Sequence, residues 1–302
     1  MNTMGRMTSI NSFYLNPNAA RYAETLFARP AASVSSSSSF SAEDRSATTE
    51  TAGQRALSRI IAILSLSGPD GSGNSATVDE RLGYVTTASG TDGNDSLTFS
   101  ARGLFDVETG AGDDSLTVKA GAVNAVSTGD GKDTIKAQAR AITDIDGGAG
   151  DDDMQFIGTL LMGIQGGEGN DTIKASGQAL IGIDGGAGND TLYLEGNRIF
   201  ASGGTGDDVI DIHQTGTNPL AELGFAAGDG KDKVTTDGAL SIRLSGYTAD
   251  DAMVSTANGK LTLTFKGSSD SITVSLTGKD QTGSAPSWHF TTDQGQTVLR
   301  IG

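Results

Sequence analysis

The sequence predicts an all-β fold, a parallel β-roll or solenoid with two strands per coil and about 19 residues in each coil. A small N-terminal helical cap and a C-terminal antiparallel β cap are expected to flank it. Three observations carry this. Aspartate returns at Asp95, Asp114, Asp133, Asp152, Asp171, Asp190, Asp208 and Asp232, in steps of 19, 19, 19, 19, 19, 18 and 24. A glycine stands two residues before each, from Gly93 and Gly112 through Gly206 and Gly230. Apolar residues recur with the same period. One column runs Leu97, Leu116, Ile135, Met154, Ile173, Leu192, Ile210, and a second follows two residues later, from Phe99 and Val118 to Leu194 and Ile212. Spacing by two is one face of a strand.

In chain order, residues 1–50 read as a flexible arm with one short helix. Asn16-Pro17 caps it, Tyr22, Ala23, Leu26 and Phe27 line it, and Pro30 stops it. A serine-rich linker follows, with five consecutive serines at 35–39. Residues 51–88 are expected to form a helical cap and lead-in. Leu57, Ile60, Ile61 and Leu64 share one helical face, and Gly68-Pro69-Asp70-Gly71 ends the helix. Residues 89–236 are the repeat. Two more columns, from Leu104 and Val123 to Ile199 and from Val107 and Val126 to Ile183, make the second strand of each coil. Adjacent coils should stack about 4.8 Å apart. Residues 237–302 lose the period. Ile242 and Leu244, then Leu261, Leu263 and Phe265, then Ile272, Val274 and Leu276 alternate, and Asn258-Gly259 signals a two-residue hairpin.

Composition narrows the function. The chain of 302 residues has 43 glycines, no cysteine and a net charge of −16. Residues 90–235 alone hold 24 acidic and 9 basic residues, so the acidity belongs to the repeat. Such a surface disfavours nucleic acid and anionic membrane and favours cations. No apolar run is long enough for a transmembrane helix, so an integral membrane protein is not expected. Residues 1–30 lack the apolar core of a signal peptide, so the chain is expected to stay in the cell or leave by a route that reads no such signal.

Aspartates stacked one per coil would repel by roughly 3.5 kcal/mol per neighbouring pair at an effective dielectric near 20. Cations between successive loops remove that repulsion. Calcium suits a site of carboxylates and turned-in carbonyls, magnesium demands a stricter octahedron, and zinc or copper would need more than His213 and His289. Gly and Asp also dominate ordinary turns, and one such loop alone would be only that. Eight in register favour cation binding.

The units Gly147-Gly148-Ala149-Gly150-Asp151-Asp152-Asp153-Met154, Gly166-Gly167-Glu168-Gly169-Asn170-Asp171-Thr172-Ile173 and Gly185-Gly186-Ala187-Gly188-Asn189-Asp190-Thr191-Leu192 resemble the glycine-rich nonapeptide of RTX (haemolysin-type) proteins. Gly203-Gly204-Thr205-Gly206-Asp207-Asp208-Val209-Ile210 matches as well, and the tail around Asp250 to Val274 resembles the β unit that often follows such repeats. The resemblance implies a calcium-dependent β-roll in a bacterial protein exported by a type I system. It implies that the eight aspartates are side-chain ligands. Carbonyls from the glycine loops, Gly110, Gly112, Gly129, Gly131, Gly148, Gly150, Gly167, Gly169, Gly186, Gly188, Gly204 and Gly206, would complete the sites.

Two departures are visible. RTX coils usually carry the motif on both edges; here one edge has it, which leads us to expect a single row of ions. Thr109, Thr128 and Ala227 replace the first glycine, and Lys132 and Lys231 precede a ligand aspartate. Those loops are expected to bind weakly, or the lysines to replace an ion in part. Asp146 and Asp184 are either extra ligands or solvated strand ends, and Asp151 and Asp153 are expected to be exposed. Trp288 reads as a packed aromatic and His289 as a surface imidazole.

Catalysis is not expected. No H-E-x-x-H or G-x-S-x-G occurs, no cysteine is present, and the first 88 residues are short and polar for a catalytic domain. A carbohydrate-binding or carbohydrate-modifying solenoid is the alternative, but Lys119, Arg140, Arg198 and Tyr193 do not form one column. The expected protein is an extracellular, non-catalytic calcium-binding roll that folds on export into calcium-rich medium. Its partners would be calcium ions and a cell-surface, matrix or polysaccharide component.

Overall fold

A computed structural model describes residues 75–85, 87–277 and 286–302. The expected arm, serine linker and two helices lie outside the described residues. What is described is all strand: a parallel β-solenoid of about eight turns with coils of about 19 residues.

The coil repeats because the pairing offset equals the sequence period. Thr134–Gln138 lies parallel between Ser115–Lys119 and Asp153–Ile157, with Leu116, Ile135 and Met154 in line. The second strand, Ala141–Ala149, lies parallel between Ala122–Ser127 and Leu160–Glu168 with the same offset. Parallel strands buried by closure need no covering helix, because each coil's apolar columns fill the interior. All four columns are buried, with Leu104, Ile142, Met154, Phe156, Leu161, Ile164 and Ile173 fully so.

The second strand is bent. Asp106, Ala125, Asp144, Gly163 and Gly182 form a column of left-handed residues, with φ from 55° to 64°. Each turns the chain between two inward residues, such as Ile142 and Ile145, which therefore sit three apart rather than two. Asp and Gly tolerate this conformation; Ala125 holds it against its Cβ because the coils on both sides impose it.

The irregular steps have local causes. The step of 18 arises where Gly182 has no counterpart, since Ile181 pairs with Phe200 and Ile183 with Ala201. The step of 24 contains two insertions. Gly196 pairs with Gln214 but Arg198 with Leu220, so 215–219 bulge from one corner. Residues 225–229 lengthen the glycine turn that follows.

The parallel sheet starts before residue 89. Ser75–Val85 pairs with Ser96–Glu108, with a register shift between Glu80 and Tyr84, and Ala88–Ser89 continues the coil. At the other end Ser271–Leu276 lies parallel on Lys231–Thr236 and antiparallel to Lys260–Phe265. Lys260–Phe265 joins Ala252–Ala257 through Asn258 and Gly259, both at positive φ, which is the hairpin the sequence signals. Gln296–Ile301 pairs antiparallel with Leu240–Ser245 and with Trp288–Asp293. This antiparallel unit covers the last coil's edge, which would otherwise template aggregation. Arg243 fastens it, with Nε on Glu222 Oε1 and Nη2 on Asp293 Oδ2, both at 2.7 Å. Trp288 is not packed inside: it is 42% exposed and meets Phe290 edge-on.

Candidate functional site

The glycine turns stack into one corner of the solenoid. Gly148 has φ +104° and Gly150 φ +132°. A Cβ on Gly148 would lie 2.0 Å from the carbonyl oxygen of Gly129, and one on Gly150 would lie 1.9 Å from that of Gly131. Chain direction and close stacking thus account for the second and fourth glycines without any ligand.

The aspartates form an internal ladder. The backbone N–H of Asp95 donates to Asp114 Oδ1 at 2.7 Å, and the pattern continues through Asp133, Asp152, Asp171, Asp190 and Asp208 to Asp232, the last bond at 3.1 Å. The aspartate side chains are buried, from Asp133 at 0% exposure to Asp232 at 4%. One carboxylate oxygen per coil is therefore a structural acceptor. The other is not: Oδ2 of Asp114, Asp133, Asp152, Asp171, Asp190 and Asp208 is buried with no hydrogen-bond partner. Such an oxygen, left alone, carries a full desolvation penalty.

What Oδ2 faces is informative. A Cβ on Gly166 would lie 2.3 Å from Asp171 Oδ2 and 2.2 Å from the Gly185 carbonyl oxygen, so both acceptors converge over the first glycine. The same convergence occurs at Gly147 with Asp152 and the Gly166 carbonyl, and at Gly185 with Asp190 and the Gly203 carbonyl. In each pair the aspartate oxygen has no hydrogen-bond partner. In two coils a donor is built in: Thr109 Oγ1 donates to the Thr128 carbonyl at 2.8 Å and Thr128 Oγ1 to the Gly147 carbonyl at 2.7 Å.

Electrostatics register the same deficit. Burial pushes Asp152 and Asp190 up to about 7, with adjacent aspartates of the column adding to the shift and the ladder N–H opposing it. Asp133 and Asp208 rise to about 6 and Asp232 to about 8, again chiefly by burial. At Asp114 and Asp133 the threonine hydroxyl beside the carboxyl works against the rise. Asp95 has donors in its own loop: Thr91 N and Oγ1 both reach its carboxylate.

A second, exposed ladder runs beside the first and was not anticipated. Asn94, Asp113, Asp151, Asn170, Asn189 and Asp207 each accept through Oδ1 the backbone N–H of the residue one coil later, at 2.7–2.9 Å. The signal was present: six of the eight residues before the ladder aspartates are Asn or Asp. Lys132 and Lys231 hold the other two places; they donate their N–H but have no side-chain oxygen to accept one, and both side chains are exposed. Asp153, exposed as expected, faces Lys174 at 3.5 Å. Asp146 and Asp184 are half-buried, and burial raises both carboxyls, with Ser202 donating to Asp184. At the far end Asp229 and Asp270, also unanticipated, cap the chain turn by accepting from Ala226 N and Gly228 N.

Among the described residues no three acidic or imidazole side chains converge on one point. An ion in this row would thus take one or two carboxylate oxygens and otherwise main-chain carbonyls. That donor set, all oxygen and irregular, fits calcium and does not fit zinc. Neither a protein-family model nor a curated protein matches the chain.

Proposed function

We propose that the stacked glycine–aspartate turns hold a row of divalent cations, calcium being the ion that fits, and that loading this row sets the solenoid. The observation that carries the reading is the set of buried aspartate Oδ2 atoms converging with glycine carbonyls and lacking any donor. A cation satisfies both acceptors and cancels the repulsion along the column. Asp152, Asp171, Asp190 and Asp208 would contribute side chains, with carbonyls of Gly166, Gly185 and Gly203 as main-chain ligands. Asp114 and Asp133 belong to the row but are partly served by Thr109 and Thr128.

In this reading the protein is a non-catalytic, RTX-like roll. It is loose where calcium is scarce and folds after export into calcium-rich medium, because ion binding becomes folding free energy. The rod would then serve surface attachment or contact with an extracellular polymer.

The test is calorimetric titration with calcium, followed by far-UV circular dichroism, on the full chain and on Asp171→Asn. Asparagine keeps the ladder acceptor and supplies an N–H for the Gly185 carbonyl, while removing the charge. We expect the variant to hold fewer ions and to need less calcium to fold. Unchanged calcium stoichiometry would falsify the ligand assignment.

A further inference from the structure

The chain's charge is segregated between faces. The outer face of the first strand in each coil is laid out by the pairing register: Lys136, Gln155, Lys174 and Tyr193 form one column, followed by Asp211. Lys119, Gln138, Ile157, Ser176, Glu195 and His213 form the column beside it. The alignment missing among Lys119, Arg140, Arg198 and Tyr193 is thus present in a different set. Across the five coils whose strand-and-corner segments are 96–102, 115–121, 134–140, 153–159 and 172–178, the charged residues are Arg102, Lys119, Lys136, Arg140, Lys174 and Asp153. This strip carries a net +4, five basic against one acidic, within a repeat whose net charge is −15.

The strip is also grooved. A shallow depression of about 460 Å³ lies over Lys119, Gln138 and Arg140, and one of about 650 Å³ runs from Gln155 and Lys174 past Tyr193 to an acidic end at Glu195, Asp211 and Asp237. They share Ile157, so together they run along the solenoid axis, across the strands. Tyr193 is 46% exposed at the end of the basic stretch. Beyond it the character reverses: Glu195 and Asp211 face out, and His213 Nδ1 is held by Asp237.

We infer that this strip is a binding site for an acidic polysaccharide lying along the axis from Lys119 to Tyr193. The site is separate from the ion row and uses none of its residues. The cations, two in the coil of Lys136 and Arg140 and one or none in each other coil, are separated by Gln138, Gln155, Ser176 and Thr117, which suits a ligand with spaced carboxylates and many hydroxyls. Glutamine and hydroxyl side chains both donate and accept, as sugar hydroxyls do. The exposed Tyr193 ring offers an apolar face to the carbon skeleton of one sugar, and its hydroxyl a polar tip. Carboxylates at Glu195 and Asp211 repel further acidic units, which fixes the ligand's end at Tyr193. Four coil steps separate Lys119 from Tyr193, a span of about 19 Å, so a short oligomer fills the site. A nucleic acid presents denser charge than this spacing answers, and the surrounding acidity opposes it.

The experiment is calorimetric titration of the full chain, in calcium, with a galacturonate hexamer, a neutral maltose-type hexamer and a single-stranded DNA oligomer. Lys136→Glu/Lys174→Glu and Tyr193→Ala serve as site variants, and Arg198→Glu, off the strip, as the charge control. Circular dichroism checks that every variant keeps the wild-type fold. We expect binding to the galacturonate hexamer only. The double reversal should weaken it at least about tenfold, the scale of losing one charge-assisted contact. Tyr193→Ala should weaken it about fivefold, Arg198→Glu should leave it unchanged, and affinity should fall with added salt. The inference is overturned by no binding of the acidic hexamer, by equal binding of the neutral hexamer, by tighter binding of DNA, or by site variants that bind like wild type.

Discussion

The coils that begin their turn with threonine and those that begin it with glycine solve one problem differently. In both, an aspartate enters the corner, spends one oxygen on the backbone of the preceding coil, and leaves the other near a carbonyl. Thr109 and Thr128 bring a hydroxyl to that place. In the coils of Gly147, Gly166, Gly185 and Gly203 the place over the first glycine lies against the aspartate's own Oδ2. The difference teaches that the glycine coils leave a buried Oδ2 without the neighbouring hydroxyl that the threonine coils supply. On the proposed reading a proton or a cation takes that place.

The largest effect should come from pH in chelator. From Asp114 to Asp232 the aspartates of the column have folded values raised above the ordinary 3.8, to about 6 for Asp133 and Asp208 and about 7 for Asp152 and Asp190. A raised carboxyl stabilises the fold fully below its unfolded value and loses that contribution as pH rises through the folded one. Without calcium, the melting temperature should fall steadily from about pH 4 to about pH 8. With calcium present the fall should vanish, since the ion takes over from the proton. A flat profile in chelator would erase the distinction between the two kinds of coil.

Next in size is Gly150→Ala. Its Cβ meets the Gly131 carbonyl at 1.9 Å and its φ is +132°, so the loss should reach about 3 kcal/mol or more by chemical denaturation, with or without calcium. This variant marks what stacking requires, as opposed to what the ion requires. Exchanging the coil types sharpens the contrast. Gly166→Thr should remove one ion from the titration and also destabilise the rod by about 1–3 kcal/mol, because its Cβ would lie 2.2 Å from the Gly185 carbonyl oxygen and the turn must shift. Thr128→Gly should add one ion and cost the calcium-free rod about 1–2 kcal/mol for the lost hydroxyl bond. The smallest effect belongs to the outer ladder: Lys132→Asn supplies the missing acceptor and should stabilise the rod by about 0.5–1 kcal/mol in thermal melts.

Much of this was legible in the sequence because a solenoid converts period into geometry. The offset of 19 between Leu116, Ile135 and Met154 is the strand register itself, and Asn258-Gly259 specifies its hairpin locally. Features that depend on neighbouring coils were not legible. Ala125 gives no sign of a left-handed corner, which is imposed by Asp106 and Asp144 stacked on either side of it. The coil built on Ser75–Val85 offers no aspartate repeat and shifts register midway, so the periodic signal is absent there. At the candidate site the aspartates were found by spacing, but their division of labour was not. Only coordinates separate an Oδ1 that accepts a backbone N–H from an Oδ2 that meets no donor, and only they expose the parallel ladder from Asn94 to Asp207.

The inner ladder has a polarity. Every rung is an N–H of one coil answered by a carboxylate of the coil that follows it. Cutting the rod from its N-terminal side removes donors and bares carboxylate oxygens, which water hydrates readily; cutting from the C-terminal side strands an amide against a missing partner. The outer ladder runs the opposite way, but its groups are exposed and water reaches them at either end, so the buried ladder sets the direction: assembly should run backwards along the chain, growing from the capped end around Asp232 toward Asp95. Hydrogen-exchange protection during refolding should appear in that order, and the reverse order would show that the direction of these bonds is immaterial to how the rod is built.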